Sequence, residues 1–219
     1  MKNWRIKYLS YLKNKKYFLR VALSFLFLLI GVAMTYFAII YATESASASV
    51  TDVILSNLPV LDVANIFVYG PVIFWVIVGI YFIFLEPKKL PFTLNSIAAF
   101  LFIRSFFISM THIGPFPDQN LIISTGFFSV FTTGKDLFFS SHTGLPFLMT
   151  LLFWDVKYLR AFCLVSSLFF GAVVLLGHMH YSIDVFAAFF ITYTILQIAK
   201  YIFPKDYDIF RYGLNEHNN

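Results

Sequence analysis

The chain has 219 residues, of which 59% are hydrophobic and only 12% charged, with a mean hydropathy of +0.78. A soluble domain carries about a quarter of its residues as charges, so this chain has too little polar surface to cover itself in water, and the lipid bilayer is its natural solvent. The formal charge of +5 does not make it a nucleic-acid binder, because its basic residues sit between apolar runs, and the one cysteine, Cys163, excludes an internal disulfide.

A bilayer core about 30 Å thick takes about 20 apolar residues per helix. In chain order, the stretches that qualify are Val21–Thr43, Ala64–Leu85, Pro91–Thr111, Phe138–Trp154, Ala161–Gly177 and Tyr181–Phe203. The first has a basic start and is followed by TESASASV, the pattern of a cleavable signal, but its apolar core is longer than the about 7–15 residues of a signal. It reads as a retained helix. The fold class is therefore all-α, a six-helix polytopic membrane bundle. A basic segment 1–20 precedes a membrane domain 21–203, and a polar tail 204–219 follows it.

Lysine and arginine orient such a bundle, because cytoplasmic loops hold the excess. With both ends on one side, that side holds the basic residues of 1–20, Lys88, Lys89, Lys157, Arg160, Lys200, Lys205 and Arg211. The other side holds Lys135, and Arg104 lies within the third span. Both termini are expected in the cytoplasm, with the basic excess touching anionic lipid at most.

This orientation gathers polar residues at the non-cytoplasmic ends of four spans. They are Arg104, Thr111 and His112, then Lys135, Asp136 and His142, then His178, His180 and Asp184. His217, in the tail, is the one histidine elsewhere. If the last span is already helical at His180, then His180 and Asp184, four apart, share a face. The carboxylate would fix the imidazole tautomer and stabilise the imidazolium, as a histidine nucleophile or base requires. The alternative is a polar pair that only caps a helix.

GKDLFFSSHTGLPF (134–147) opens the fourth span. Pro146 deprives the carbonyl of His142 of its helical partner, so the helix should start just after His142 or kink there. Ser140, Ser141, His142 and Thr143 then lie beside a helix N-terminus, where free N–H groups attract anions. His142 suits a general acid for a phosphoester leaving group; otherwise the serines are N-caps and His142 is an interface residue. Arg104, with no acid near it in sequence, suits a phosphate clamp, unless it merely snorkels. Two other chemistries compete with these. A metal site could draw on His178, His180, Asp184 and His142. A proton-relay transporter would need polar residues reaching both faces, whereas these stay at one level.

These motifs resemble a family. HYSIDV, preceded by GHMH, is similar to the last motif of the sphingomyelin synthase family, and DLFFSSHT to its Asp-x-Leu-Tyr-Ser-Gly-His-Thr motif. RSFFISMTHIGPFP resembles its third-helix stretch, and LPVLD (58–62) echoes its early Pro-Leu-Pro-Asp motif. That family is the transferase branch of the type 2 phosphatidic acid phosphatase superfamily, with six helices and a non-cytoplasmic active site. The resemblance implies a ping-pong transfer of a phosphobase, phosphocholine or phosphoethanolamine. His180 would be the nucleophile, oriented by Asp184, and His142 the acid and base. Arg104 would hold the phosphate, and Lys135, Asp136, Ser140, Ser141, Thr143, His178 and Tyr181 the phosphate and headgroup region. The implied partners are a phospholipid donor and ceramide, diacylglycerol or water as acceptor, with no metal or other cofactor and no nucleic acid. Lys135, Ser141 and Met179 depart from the family pattern, which leaves headgroup and acceptor open; hydrolysis like that of a phosphatase or phospholipase C is the alternative.

Overall fold

The structure is a computed structural model that describes residues 3–119 and 136–214. Among these residues every regular element is helical. The α-helices are α1 (Asn3–Lys13), α2 (Lys15–Glu44), α3 (Ala64–Leu85), α4 (Leu90–Met110), α5 (Ser141–Leu152), α6 (Lys157–Leu176), α7 (Ser182–Ile202) and α8 (Pro204–Tyr212), with short 3₁₀ turns at Leu55–Asn57 and Pro87–Lys89. Five helices, α2, α3, α4, α6 and α7, are long and apolar enough to cross a membrane. The chain is an integral, multi-pass membrane protein.

The expected sixth span, Phe138–Trp154, is corrected to the 12-residue α5, which at about 1.5 Å per residue reaches only about 18 Å. The reason lies at its start. Carbonyls of Asp136 and Phe139 accept hydrogen bonds from the Arg104 side chain, so residues 136–140 approach as a bent, irregular segment rather than as helix. A half-length helix survives in the bundle because its neighbours, not lipid, surround it: Leu148, Met149 and Leu152 are buried against α4, α6 and α7. Beyond residue 203 the chain continues into the helix α8.

The most extensive helix pair is α2 with α4. A Cβ on Gly31 would sit 3.4 Å from Leu101 Cβ, so this glycine lets the two backbones approach closely, as small residues do in membrane helix pairs. The Thr35 and Ser105 hydroxyls bond across the same seam at 3.0 Å, and Phe27 stacks on Phe102. By contrast α3 is loosely held: Ile66, Tyr69, Val72, Ile73, Val76, Ile77 and Ile80 are exposed, the surface lipid would cover.

The bundle has two chemically different ends. At one, Asp206 accepts from Arg20 at 2.8 Å and from Asn95 at 3.0 Å. Tyr17 donates to the Pro87 carbonyl, and buried Lys89 lies over the rings of Phe153 and Phe210. This end ties α2, α4 and α8 together. Replacing Asp206 by Ala leaves Asn95 buried without its acceptor, which costs about 1–3 kcal/mol. The expected result is a melting temperature lowered by several degrees in detergent; an unchanged melting curve would remove Asp206 from the list of structural contacts.

Candidate active site

The other end carries the site, and α6 sets it up by the way it stops. Gly177 caps the helix, the N–H of His178 bonds the Leu175 carbonyl at 3.0 Å, and that of Met179 bonds Val174 at 2.8 Å. This is a Schellman motif, whose turn residue adopts the left-handed conformation. Glycine is usual there, but His178 occupies it with φ 52°, at a cost of about 1–2 kcal/mol. The side chain it keeps there is buried beside the Phe116 ring, and neither ring nitrogen has a hydrogen-bond partner among the described residues.

The reversal delivers His180 to the start of α7. The sequence expectation of a shared helical face is corrected here: α7 begins at Ser182 with Tyr181 as N-cap, so His180 lies outside the helix. The pair forms all the same. Asp184, third residue of α7, turns its Oδ2 back to accept from the Tyr181 N–H at 3.1 Å and from His180 Nδ1 at 3.1 Å. A carboxylate oxygen accepts only, so Nδ1 carries the proton and Nε2 presents the lone pair. Both side chains are almost wholly buried. The capping role and the histidine-orienting role, posed as alternatives by the sequence, are filled by one oxygen.

Arg104 comes from α4 and is 1% exposed. Its Nη2 lies 2.7 Å from Asp136 Oδ2 and 2.9 Å from the Asp136 carbonyl, and its Nε bonds the Phe139 carbonyl at 3.1 Å. The guanidinium thus has an acid beside it, supplied across the fold rather than along the chain. Phe138, between those two carbonyls, is held at φ 126°, a region that side-chain-bearing residues rarely adopt. The segment then crosses to α7, where the Ser140 N–H bonds the Asp184 carbonyl at 3.0 Å.

Helix α5 starts at Ser141, one residue before His142 rather than after it, and runs through Pro146 without interruption. Its N-cap Ser140 makes no side-chain cap, and its hydroxyl is buried without a partner among the described residues, as are Thr143 Oγ1, His142 Nδ1, Asp184 Oδ1 and Thr192 Oγ1. Buried polar atoms are normally paired; together with His178, these orphans mark where α5, α6 and α7 converge. Gly144 permits that convergence, since a Cβ there would meet the Phe100 ring at 2.7 Å and Thr192 Oγ1 at 2.9 Å. His142 feels the charges of His180, Asp136 and Arg104. Its ring stacks on Phe67 at 4.1 Å, and Nε2 bonds the Phe67 carbonyl at 3.3 Å. A cleft of about 90 Å³ adjoins it, with Ser141 and His142 as its polar members and Pro71, Phe74, Trp75, Leu145, Pro146 and Phe170 as apolar walls.

Two sequence candidates, Tyr181 and His112, are engaged elsewhere. The Tyr181 hydroxyl is spent, donating to the Gly114 carbonyl at 2.9 Å and accepting from the Val50 N–H at 3.1 Å. His112 turns to Ser109 and Tyr41. Lys135 lies outside the described residues. Asp62 of the early motif accepts from the Ala64 N–H at the start of α3. Among the described residues no three His, Cys, Asp or Glu side chains converge as metal ligands would.

Sequence reasoning missed Asp52. Its Oδ1 accepts from the N–H groups of Ile54 and Leu55, and its Oδ2 from that of Ser182 at 2.7 Å. It pins the α2–α3 loop to the first turn of α7, two residues from His180. The signal was only a local turn: in TDVILSN an aspartate precedes the N–H groups it can cap, but nothing local names Ser182.

The site segment is also where comparison with known proteins succeeds. Residues 134–201 match the family described as PAP2 superfamily C-terminal. The match supports the type 2 phosphatidic acid phosphatase superfamily. The matched stretch runs through α5 and α6 to near the end of α7, so it contains His142, His178, His180 and Asp184 but not Arg104. No curated protein and no solved structure gives a match.

Burial raises the cost of ionising Asp52, but the donors from Leu55, Ser182 and Ile54 outweigh it and hold the carboxyl below its usual range. A depressed carboxyl stabilises the fold above its unfolded value of about 3.9 and loses that contribution as pH falls through the folded value. Asp52→Ala is expected to lower the melting temperature at pH 7 and to flatten the loss of stability below about pH 4. Identical melting profiles for the two proteins across that range would refute the anchoring role.

Proposed function

We propose that the chain is a membrane enzyme that acts on lipid phosphoesters, transferring a phosphobase by a ping-pong route through His180, as in sphingomyelin synthases. The observation that carries this reading is the pairing of His180 Nδ1 with the buried carboxylate of Asp184, set beside a second histidine whose Nδ1 has no partner. A nucleophile with its orienting acid and a separate proton carrier are what phosphoryl transfer through a covalent intermediate needs. The family match over the same residues points to the same class, enzymes of lipid phosphoesters.

The Nε2 lone pair of His180 forms a bond to phosphorus while the bond from phosphorus to the diacylglycerol oxygen breaks. His142 Nδ1 gives that oxygen its proton. Asp184 stabilises the positive phosphoimidazole, which keeps its Nδ1 proton. In the second step an acceptor hydroxyl returns a proton to His142 Nδ1, its oxygen bonds phosphorus, and the bond to His180 breaks. The unpartnered hydroxyls of Ser140 and Thr143, the first N–H groups of α5 and the ring of His178 supply donors for phosphate oxygens. The guanidinium of Arg104, already bound to Asp136 and two carbonyls, contributes charge and holds the segment in place.

The apolar walls beside His142 fit an acyl chain, which favours a lipid over a water-soluble phosphoester. In this reading both termini face the cytoplasm and the site opens on the opposite side of the membrane. Ceramide or diacylglycerol as acceptor gives a transferase; water gives a hydrolase of the phosphatase or phospholipase C kind.

Purified protein in liposomes, given labelled phosphatidylcholine or phosphatidylethanolamine with ceramide, tests this. His180→Ala is expected to abolish turnover, and His142→Ala to lower it by about 10²–10⁴-fold. A new phosphosphingolipid establishes the transferase, and released phosphobase alone the hydrolase. Turnover unchanged in either variant would sink the mechanism.

A further inference from the structure

A proline inside a helix withholds the N–H that the carbonyl four residues earlier would accept. Pro71 lies inside α3, so the carbonyl deprived is that of Phe67. In hydrocarbon an unsatisfied carbonyl is costly, and a neighbouring helix must supply a donor. The donor here is Nε2 of His142 at 3.3 Å. A carbonyl only accepts, so this contact assigns the proton to Nε2 and leaves Nδ1, buried and unpartnered, as the ring atom that takes up or releases a proton.

Other features of α3 serve the same contact. The Phe67 ring lies over the imidazole with 27° between planes, which fixes the ring orientation. Gly70 lets α3 settle on α6, since a Cβ there would sit 2.6 Å from the Phe170 ring. The titratable groups that reach His142 are His180 before α7, Asp136 on the connecting segment and Arg104 on α4; the residues of α3 and α6 that line the cleft beside it, Pro71, Phe74, Trp75 and Phe170, carry no titratable group.

We propose that Pro71 is a positioning residue for His142: by withholding its own N–H it reserves the Phe67 carbonyl for the imidazole and so sets which nitrogen carries protons to and from the substrate. This rests on the reading of His142 as acid and base. A protonated imidazole makes a stronger bond to a carbonyl than a neutral one, so the contact favours the acid form needed in the first step.

Pro71→Ala tests it, because alanine returns an N–H to α3 and lets the helix take back the Phe67 carbonyl without loss of fold. The full-length protein, labelled with ¹⁵N in its histidine rings, would be examined by NMR, with His142→Gln identifying the signal. The wild-type signal is expected to be that of the Nε2–H tautomer, and Pro71→Ala is expected to shift it toward a mixture. Phe67→Leu, which keeps the carbonyl, should preserve the tautomer. On labelled phosphatidylcholine, Pro71→Ala should lower kcat about tenfold, part of the about 10²–10⁴-fold that a placed acid or base supplies. KM should change little, and the alkaline limb of the rate profile should move to lower pH.

An unshifted His142 signal in Pro71→Ala overturns the proposal whatever the activity. A shifted signal with an unchanged rate profile, in an enzyme that His142→Ala inactivates, reduces Pro71 to a structural role and also overturns it. Full activity in His142→Ala instead overturns the acid–base reading, and the ring signal still reports independently on the contact with Phe67.

Discussion

One buried guanidinium organises the site end of the bundle. Arg104 is almost fully enclosed, and a charge in an apolar helix bundle persists only if its donors are met. Those on Nε and Nη2 are met by the carboxylate and carbonyl of Asp136 and the carbonyl of Phe139. Meeting them holds residues 136–140 in a bent, non-helical course, and that fixes where α5 begins. The start of α5 in turn decides where His142 stands relative to His180. Removing the guanidinium would release the connecting segment before it touched any substrate.

A second economy is the repeated use of helix ends and helix breaks. The Schellman turn of α6 throws His178 and His180 toward the start of α7, and the third residue of α7 serves at once as cap and as partner for His180. Pro71 and Pro146, which line one cleft, each free a carbonyl, of Phe67 and of His142. In water such carbonyls would be solvated. In a bilayer such a carbonyl can become a specific acceptor, as that of Phe67 does for His142. Asp52 works in the same way from the loop side, occupying the Ser182 N–H that α7 would otherwise offer to an anion.

The stretch of α3 that meets the site is also the loosest part of the bundle. Its lipid-facing side is long and apolar, while its inner side carries Phe67, Pro71, Phe74 and Trp75. The proton carrier of the proposed reaction therefore touches the helix that a lipid tail in the cleft would also touch. Binding of the tail and readiness of the acid can be coupled through that wall, since both depend on how closely α3 sits on α5 and α6.

Much of this was legible in the chain. Apolar runs of bilayer length fix α2, α3, α4, α6 and α7, because backbone hydrogen bonding in lipid leaves little alternative to helix. The pairing of His180 with Asp184 was legible from their spacing, although the geometry that joins them is a helix cap rather than a helix face. The tertiary structure decided the rest. Whether a 17-residue apolar stretch becomes a span or a 12-residue helix depends on Arg104 reaching across from α4, and no local pattern encodes that reach. Asp136 as its counter-ion, Asp52 on Ser182 and the Phe67 carbonyl on His142 are contacts between residues 32, 130 and 75 positions apart. Local sequence sets which backbone groups are left wanting a partner; only the packing of the helices determines which side chain arrives to satisfy them.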